Sequence, residues 1–595
     1  MDLSLEKTVN AKLFDCFEKL GLDTKFAFVK ISDRPDLSDF QCNAALSLAK
    51  SAHKNPREIA TSIVALLEND DCFEKVSVDG PGFINIRVSD ILLNRVMNNI
   101  ASDKRLGCAE IENPKTVVLD FGAPNVAKEM HVGHLRSAVI GESIQRIERF
   151  LGNKVISDTH LGDWGTPMGM IISEIMLKHP EWPYFDDTKK DNFPVSLPYS
   201  VQELTEIYKQ ANTRCKEDEN ARQKARIITA KFQDRHPGYR ALWQHLRNIS
   251  VEAVKKNFDS LDVHFDLWWG ESDAHQSCYQ ILKIAQEKNI SEVDDGATII
   301  RLDESNKPKP PVILQKSDGG FTYHTTDIAT VLMRVNQLHA DEIIYFTDQR
   351  QSLHFEQVFE AVEKLGIAPH VKLKHIGFGT VNGPDGKPFK TRDGGVMKLE
   401  DLINLSKDKV RESMPSPDEV DGFSSVQEAH NYIENLVNQI AIAAMKFQDL
   451  KNNIASGYSF EINDFAKFEG KTGPYIQYAI ARINSIMRKA NAAQILEGNV
   501  LIHTPEERML ALKLSQLSSV IFRTHEDKEP SIISDYAYTL AQIFSSFYNA
   551  ASIMNAESSE LASSRLRLAR ITRDVLTLLL NLLGIQAPDV MLKKN

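Results

Sequence analysis

Two histidines three residues apart, His131 and His134, bracket Val132 and Gly133 in the segment FGAPNVAKEMHVGHLRS, residues 121–137, with Lys128 just upstream. A Pro-Asn turn precedes them, and a helix is expected to begin at the glycine. A helix N-terminus presents unpaired N–H groups and a partial positive charge, so phosphate is its natural ligand. Gly133 has no side chain, which lets a flat base or ribose rest on the backbone. Histidines three apart share one face of the first turn and can point at the same phosphates. The pattern is neither a Walker loop, which needs Gly-Lys-Ser/Thr, nor the GxGxxG fingerprint, and Val-Gly between the histidines excludes HExxH. An isolated pair of this kind reads first as helix-cap or core histidines. Its place after a strand and a turn is where ligand loops occur in α/β sheets.

A second basic element lies about 250 positions on, FGTVNGPDGKPFKTRDGG, residues 378–395, with Lys387, Lys390 and Arg392 among glycines and prolines. Such a loop could close over a triphosphate and stabilise charge building on the α-phosphate and on leaving pyrophosphate. Taken alone, it also reads as a solvated basic turn.

These elements need a frame. KTVVLDFG is a short apolar run suited to a buried parallel strand, GHLRSAVIGESIQRIERF a helix, and NKVISDTHLGDWG a second strand and loop. That is a βαβ unit, and it predicts an α/β fold with a doubly wound, Rossmann-like parallel sheet. Further strand-like segments are ATIIRL, PVILQ, FTYH, EIIYF and VKLKHIGFG, with Asp318-Gly319-Gly320 as a hairpin turn. The polar, charge-rich stretch at about 180–250 reads as a mostly helical insertion. Residues 1–112 are expected to form an N-terminal α+β domain, 113–415 the α/β domain, and 416–595 a C-terminal all-α helical bundle, joined by a linker at ESMPSPDEVDGFSS.

At 595 residues the chain is too long for one core, and 42% apolar with 25% charged residues is ordinary for a globular protein. No apolar run reaches bilayer length, and the N-terminal MDLSLEKTVNAKLF lacks the basic start and apolar stretch of a secretory signal. No membrane association and a cytoplasmic location are therefore expected. The six cysteines form no CxxC pair, so no protein-bound zinc is expected. A net charge of −11 counts weakly against nucleic acid as a partner, although local patches bind RNA whatever the total.

FGAPNVAKEMHVGHLRS, followed by HLGDWGTPMG and then DGKPFKTRDGGVMKLEDL, resembles the class I aminoacyl-tRNA synthetases and is specifically similar to the arginyl-tRNA synthetases. The likeness extends through FQCNAALSLAK, FDLWWGES, FTYHTTDIA and FEGKTGPYIQYAIARI, and so covers nearly the whole chain. It implies ATP-dependent attachment of L-arginine to its cognate tRNA through an arginyl-adenylate, with release of AMP and pyrophosphate. ATP is then a substrate that brings Mg2+ with it. The partners are L-arginine, ATP and the tRNA specific for arginine, and a monomer is expected.

The resemblance also assigns roles. His131, Gly133 and His134 match the HIGH element, which holds ATP and stabilises the transition state of adenylate formation. The late loop matches the KMSKS position but reads Phe-Lys-Thr-Arg-Asp, so Lys128 takes a compensating role and phosphate contacts divide among Lys128, Lys387 and Lys390. Pro167-Met168 stands where the family has Gln-Phe. A guanidinium is a planar fork of donors best met by carboxylates. Glu271 in WWGES and Asp327 in TYHTTDIA match the arginine pocket, and Tyr323, four before Asp327, shares its face on a helical turn. Asn125 and Gln351 match positions that hold the amino acid's backbone groups. For tRNA, Tyr475, Tyr478 and Arg482 combine stacking rings with a cation, RLRLARITR adds Arg565, Arg567, Arg570 and Arg573, and Phe40 and Gln41 match the region used against the tRNA elbow. Two other readings stay open. One is a cysteine-specific ligase of the same superfamily, whose zinc pocket these scattered cysteines do not suit. The other is a non-catalytic RNA-binding relative.

Overall fold

A computed structural model of the chain describes residues 4–302, 309–383, 386, 397–460 and 467–592. Met1–Ile111, Ser413–Phe447 and Ala466–Asn595 pack as one compact unit, and Glu112–Glu412 with Gln448–Phe465 as another. The two ends of the chain, read separately in the sequence, therefore share one unit.

In that unit β1 (Lys30–Ile31), β2 (Phe40–Cys42), β3 (Phe73–Asp79) and β4 (Phe83–Val88) form an antiparallel sheet in the order β1-β2-β4-β3. β2 goes unread in the sequence because three residues are too few for alternation to show. It forms because Phe40 and Cys42 are buried while Gln41 Nε2 donates to Asn85 Oδ1 at 3.0 Å. The helix Leu5–Leu20 starts at Ser4, whose Oγ accepts from Lys7 N, and stops at Gly21 in the left-handed region. The C-terminal part is helical, including Val426–Leu450, Gly473–Ala492, Pro505–Leu514, Ser531–Ala550 and Ser559–Leu582. Arg508 fastens the two parts together. Its guanidinium donates to both oxygens of Asp39, at 3.0 and 2.9 Å, and to Val88 O at 2.7 Å.

In the second unit β5 (Thr116–Asp120) and β6 (Lys154–Asp158) flank the helix Gly133–Phe150, as the βαβ pattern predicts. β7 (Glu292–Asp294), β8 (Ala297–Ile300) and β9 (Val312–Gln315) form a separate antiparallel sheet. With β10 (Glu342–Asp348) and β11 (Lys372–Phe378), β5 and β6 make a parallel sheet in the order β11-β10-β5-β6. The doubly wound α/β expectation holds. The strand order reverses between β5 and β10, and ligands of such sheets bind at the carboxyl ends on either side of that switch point. Gly141 lets the helix approach closely, since a Cβ there would lie 2.2 Å from the Phe121 ring. FTYH is not a strand. After one bridge from Gln315 to Phe321, Tyr323 begins the helix Tyr323–Leu338. The insertion is three helices, Val201–Glu217, Glu219–Gln233 and Pro237–Ser260, packed with Thr166–Lys178 around an apolar cluster that takes in Met168. A short parallel pair, β12 (Val381–Asn382) and β13 (Tyr458–Ser459), completes the unit.

Candidate active site

β5 runs into the segment 121–134 at the switch point. Gly122 N donates to Ser137 Oγ at 2.8 Å, which ties the turn to the helix above it. Asn125 is exposed and pairs with Gly162, where a Cβ would lie 2.5 Å from Asn125 Oδ1. Ala123 and Ala127, on either side, have positive φ of 30° and 59°. Non-glycine residues in that region are strained and cluster at ligand sites.

The two imidazoles do the capping themselves. His131 Nδ1 accepts from Gly133 N at 3.1 Å, and His134 Nδ1 accepts from His131 N at 3.1 Å, with the rings 4.1 Å apart. At His131 an accepting Nδ1 leaves the proton of a neutral ring on Nε2, free to donate, whereas His134 Nδ1 also lies 3.2 Å from His131 O, a contact open to either tautomer. Desolvation and the neighbouring His131 push His134 down to about 4, while desolvation and Lys128 push His131 down. Both rings are therefore neutral near pH 7. Lys128 Nζ lies 4.5 Å from the centroid of the Tyr208 ring, on the insertion.

Lys387, Lys390 and Arg392 lie outside the described residues. The chain just after them is described, and it lies against the histidine segment. Val132 N donates to Met397 O and Leu399 N to Met130 O, each at 3.0 Å, with Lys398 bridged to His131.

The acidic end is built by zipping HLGDWG onto WWGES. Leu161 N donates to Trp269 O at 2.7 Å and Glu271 N to Leu161 O at 3.1 Å. Glu271 opens the helix Glu271–Glu287, which packs on Tyr323–Leu338, the helix that carries Asp327. Burial pushes Glu271 up to about 7, with Asp163 and Asp327 raising it further against His160. Burial also drives Cys278 up to about 12, and both Asp327 and Glu271 add to it. The two acids thus stand in electrostatic reach of one another and of the same thiol. Tyr323, 62% exposed, lies on the Asp327 helix with its ring 5.0 Å from that of His354. Gln351 is exposed and follows β10, across the switch point from Asn125.

Family models match three segments: "Arginyl tRNA synthetase N terminal domain" at 3–88, "tRNA synthetases class I (R), catalytic domain" at 95–462 and "DALR anticodon binding domain" at 476–591. The arginine–tRNA ligase of Alkaliphilus oremlandii is 43% identical over 592 residues, covering 99% of this chain and all of that one. That of Francisella tularensis strain SCHU S4 is 44% identical over 597 residues with the same coverage. The chain belongs to the arginyl-tRNA synthetase family. The solved arginyl-tRNA synthetase of Plasmodium falciparum superposes with a TM-score of 0.79 at 26% identity, over 99% of both chains.

As an arginyl-tRNA synthetase, the chain carries site residues that the motifs do not mark. His354 Nε2 lies 2.6 Å from Asp327 Oδ2 and sets that carboxylate's orientation. Three residues past Gln351, it was findable only as another histidine on the same segment. Below the pocket, Arg334 pairs with Asp120 at 2.6 Å and Asp158 at 2.7 Å, with His160 Nδ1 3.5 Å from Asp158. Burial alone would lower His160, but Asp158 and Asp120 outweigh it and hold His160 up at about 9. Asp120, Asp158 and His160 have a metal-like spacing, yet Arg334 donates to both acids, and His160, held up at about 9, faces them as a second cation. The six cysteines are buried, and no disulfide joins any two of them among the described residues.

In the other unit, Tyr475, Tyr478 and Arg482 share one face of Gly473–Ala492. Tyr478 is exposed, the Tyr475 ring lies 5.4 Å from Tyr538, and the Arg482 guanidinium sits 4.9 Å over Tyr548. Phe40 is different: at 4% exposed its ring is core and offers no face to a base, while the Gln41 amide reaches the partly buried surface. Arg565, Arg570 and Arg573 are held by Glu507, Glu497 and Asp574 in structural ion pairs.

Proposed function

We propose that this protein activates L-arginine with ATP and transfers it to its cognate tRNA. In the first step the arginine carboxylate attacks the α-phosphate, forming arginyl-adenylate and releasing pyrophosphate. In the second, the terminal adenosine 2′-OH takes the arginyl group and AMP leaves. No side-chain nucleophile is needed. Catalysis is positioning plus stabilisation of the charge that grows on the α-phosphate. His131 and His134 donate from Nε2 toward that phosphate, Gly133 admits the nucleotide to the backbone, and Lys128, Lys387 and Lys390 share the remaining phosphate charge. Asn125 and Gln351, on either side of the switch point, hold the amino acid's α-amino and carboxylate groups. Glu271 and Asp327 meet the guanidinium, with Tyr323 beside them.

Magnesium enters with the nucleotide, as it commonly does where phosphates supply most of its ligands. The tRNA lies along Tyr475, Tyr478 and Arg482, with Gln41 toward the elbow and Phe40 supporting the strand that bears it. A cytoplasmic monomer fits these roles, and no helix among the described residues is long and apolar enough to cross a membrane.

One observation carries the arginine assignment: two carboxylates on packed helices, Asp327 raising Glu271 and both raising Cys278, in the unit whose switch-point segment bears two neutral histidines. Pyrophosphate exchange with each amino acid, with and without tRNA, tests it. Arginine alone should support exchange, in the presence of tRNA. Exchange with cysteine, or with none, would overturn the reading.

A further inference from the structure

The histidine helix carries a charged group two residues beyond His134. Arg136 is 1% exposed. Its Nη1 donates to Gly379 O at 2.9 Å and to Ser456 O at 2.6 Å, and its Nη2 donates to Asn453 O at 3.0 Å. Its Nε lies 3.5 Å from Asp449 Oδ1, a carboxylate itself 1% exposed, and its guanidinium sits 5.2 Å over the Tyr458 ring, which is 8% exposed. Asp449 ends the long helix Val426–Leu450 and Tyr458 opens β13, so both lie more than 300 positions from the histidines.

Gly379 is the entry to β12. Tyr458 N donates to Thr380 O at 3.1 Å and Phe460 N to Asn382 O at 2.8 Å, while a Cβ on Gly379 would lie 2.4 Å from Gly457 N. The glycine- and lysine-rich stretch starts where β12 ends, and its far end returns to Val132 and Met130 through Met397 and Leu399. Both ends of that stretch are thus registered on the first turns of one helix, one through Arg136 and the other through Val132.

We infer that Asp449 and Tyr458 are positioning residues for adenylate formation, acting through Arg136 to fix the base of the basic stretch relative to His131 and His134. A guanidinium can be buried only if its charge and donors are met. Three carbonyls satisfy donors, while Asp449 supplies the counter-charge and Tyr458 the π face. Without Asp449 the cation is uncompensated, and the carbonyl cradle holding Gly379 loosens. Misplacing a catalytic element by about 1 Å costs roughly 100-fold in rate.

The inference rests on the arginine-activating function, which wild-type exchange tests separately. The experiment measures single-turnover arginyl-adenylate formation per titrated active site, with tRNA present, in Asp449→Asn, Tyr458→Phe, Arg136→Gln and the Arg136→Gln/Asp449→Asn double variant. Asp449→Asn is expected to slow the saturated rate roughly 10- to 100-fold and to leave KM for arginine within about threefold. The double variant should be no slower than Arg136→Gln, because both changes break one contact. Tyr458→Phe removes a single hydroxyl and serves if Asp449→Asn does not fold, with an expected loss of about threefold. A role in stability alone would lower the fraction of active sites and leave the rate of each unchanged. That result, or a loss appearing as a matching rise in KM for arginine, would overturn the proposal.

Discussion

The histidine end and the carboxylate end of the active site meet the same force with opposite results. Desolvation favours the neutral form of any ionisable group. At His134 it lowers the imidazole to about 4, so the ring is neutral near pH 7. At Glu271 it raises the carboxyl to about 7, and there the neutral form is of no use to a guanidinium. In the proposed roles, the histidine end is therefore set for its task across the neutral range, while the carboxylate end stands on the edge of losing its charge. The buried cation His160 opposes that loss, since its field lowers Glu271.

The contrast can be broken in four ways. The largest effect is expected at the carboxylate end: Asp327→Asn leaves the guanidinium short of one charge and should lower kcat/KM for arginine on the order of 10²–10⁴, with KM for ATP unchanged in steady-state exchange. At the histidine end, His134→Ala removes one donor to the α-phosphate and should slow single-turnover adenylation roughly 10²–10³-fold, with KM for arginine unchanged. An equal effect of both variants on both substrates would dissolve the distinction between the ends.

The third way is pH. Glu271 must be ionised to pair with arginine, so protonation below about 7 weakens binding. Between pH 8 and 6, kcat/KM for arginine should fall as pH drops, approaching about tenfold per unit below the pKa, while KM for ATP stays flat. Glu271→Gln should flatten the arginine profile. A profile that keeps its slope in that variant would place the titration elsewhere. The smallest effect belongs to His354→Gln, which loosens Asp327 without removing its charge. KM for arginine should rise about three- to tenfold, as isothermal titration with arginine can also read.

What the sequence discloses depends on how local the signal is. The start of the histidine helix is legible at Gly133 because a strand, a turn and 3.6-residue periodicity all point to it. Tyr323 and Asp327 are legible as a helical pair, although FTYH imitates a strand through its aromatic and β-branched residues before one bridge gives way to helix. β2 is hidden by its length. Arg136, Asp449 and Tyr458 leave no local trace, because their meaning lies in contacts spanning hundreds of positions. The same holds for Arg334, which shares with Asp120 and Asp158 a buried triad that no spacing rule joins. Phe40 in DFQCN matches the region used against the tRNA elbow, yet β-pairing turns its ring inward.

The bond between Arg508 and Asp39 has a consequence for how the protein is made. Its two sides are 469 positions apart. At a ribosomal pace of roughly 5–20 residues per second, Asp39 and its sheet emerge on the order of half a minute or more before Arg508 exists. During that interval Asp39 keeps its donor within the sheet, Val88 N at 2.9 Å, but lacks the counter-charge that Arg508 brings. Vectorial synthesis thus leaves this face of the N-terminal sheet uncovered until the helix Pro505–Leu514 leaves the exit tunnel.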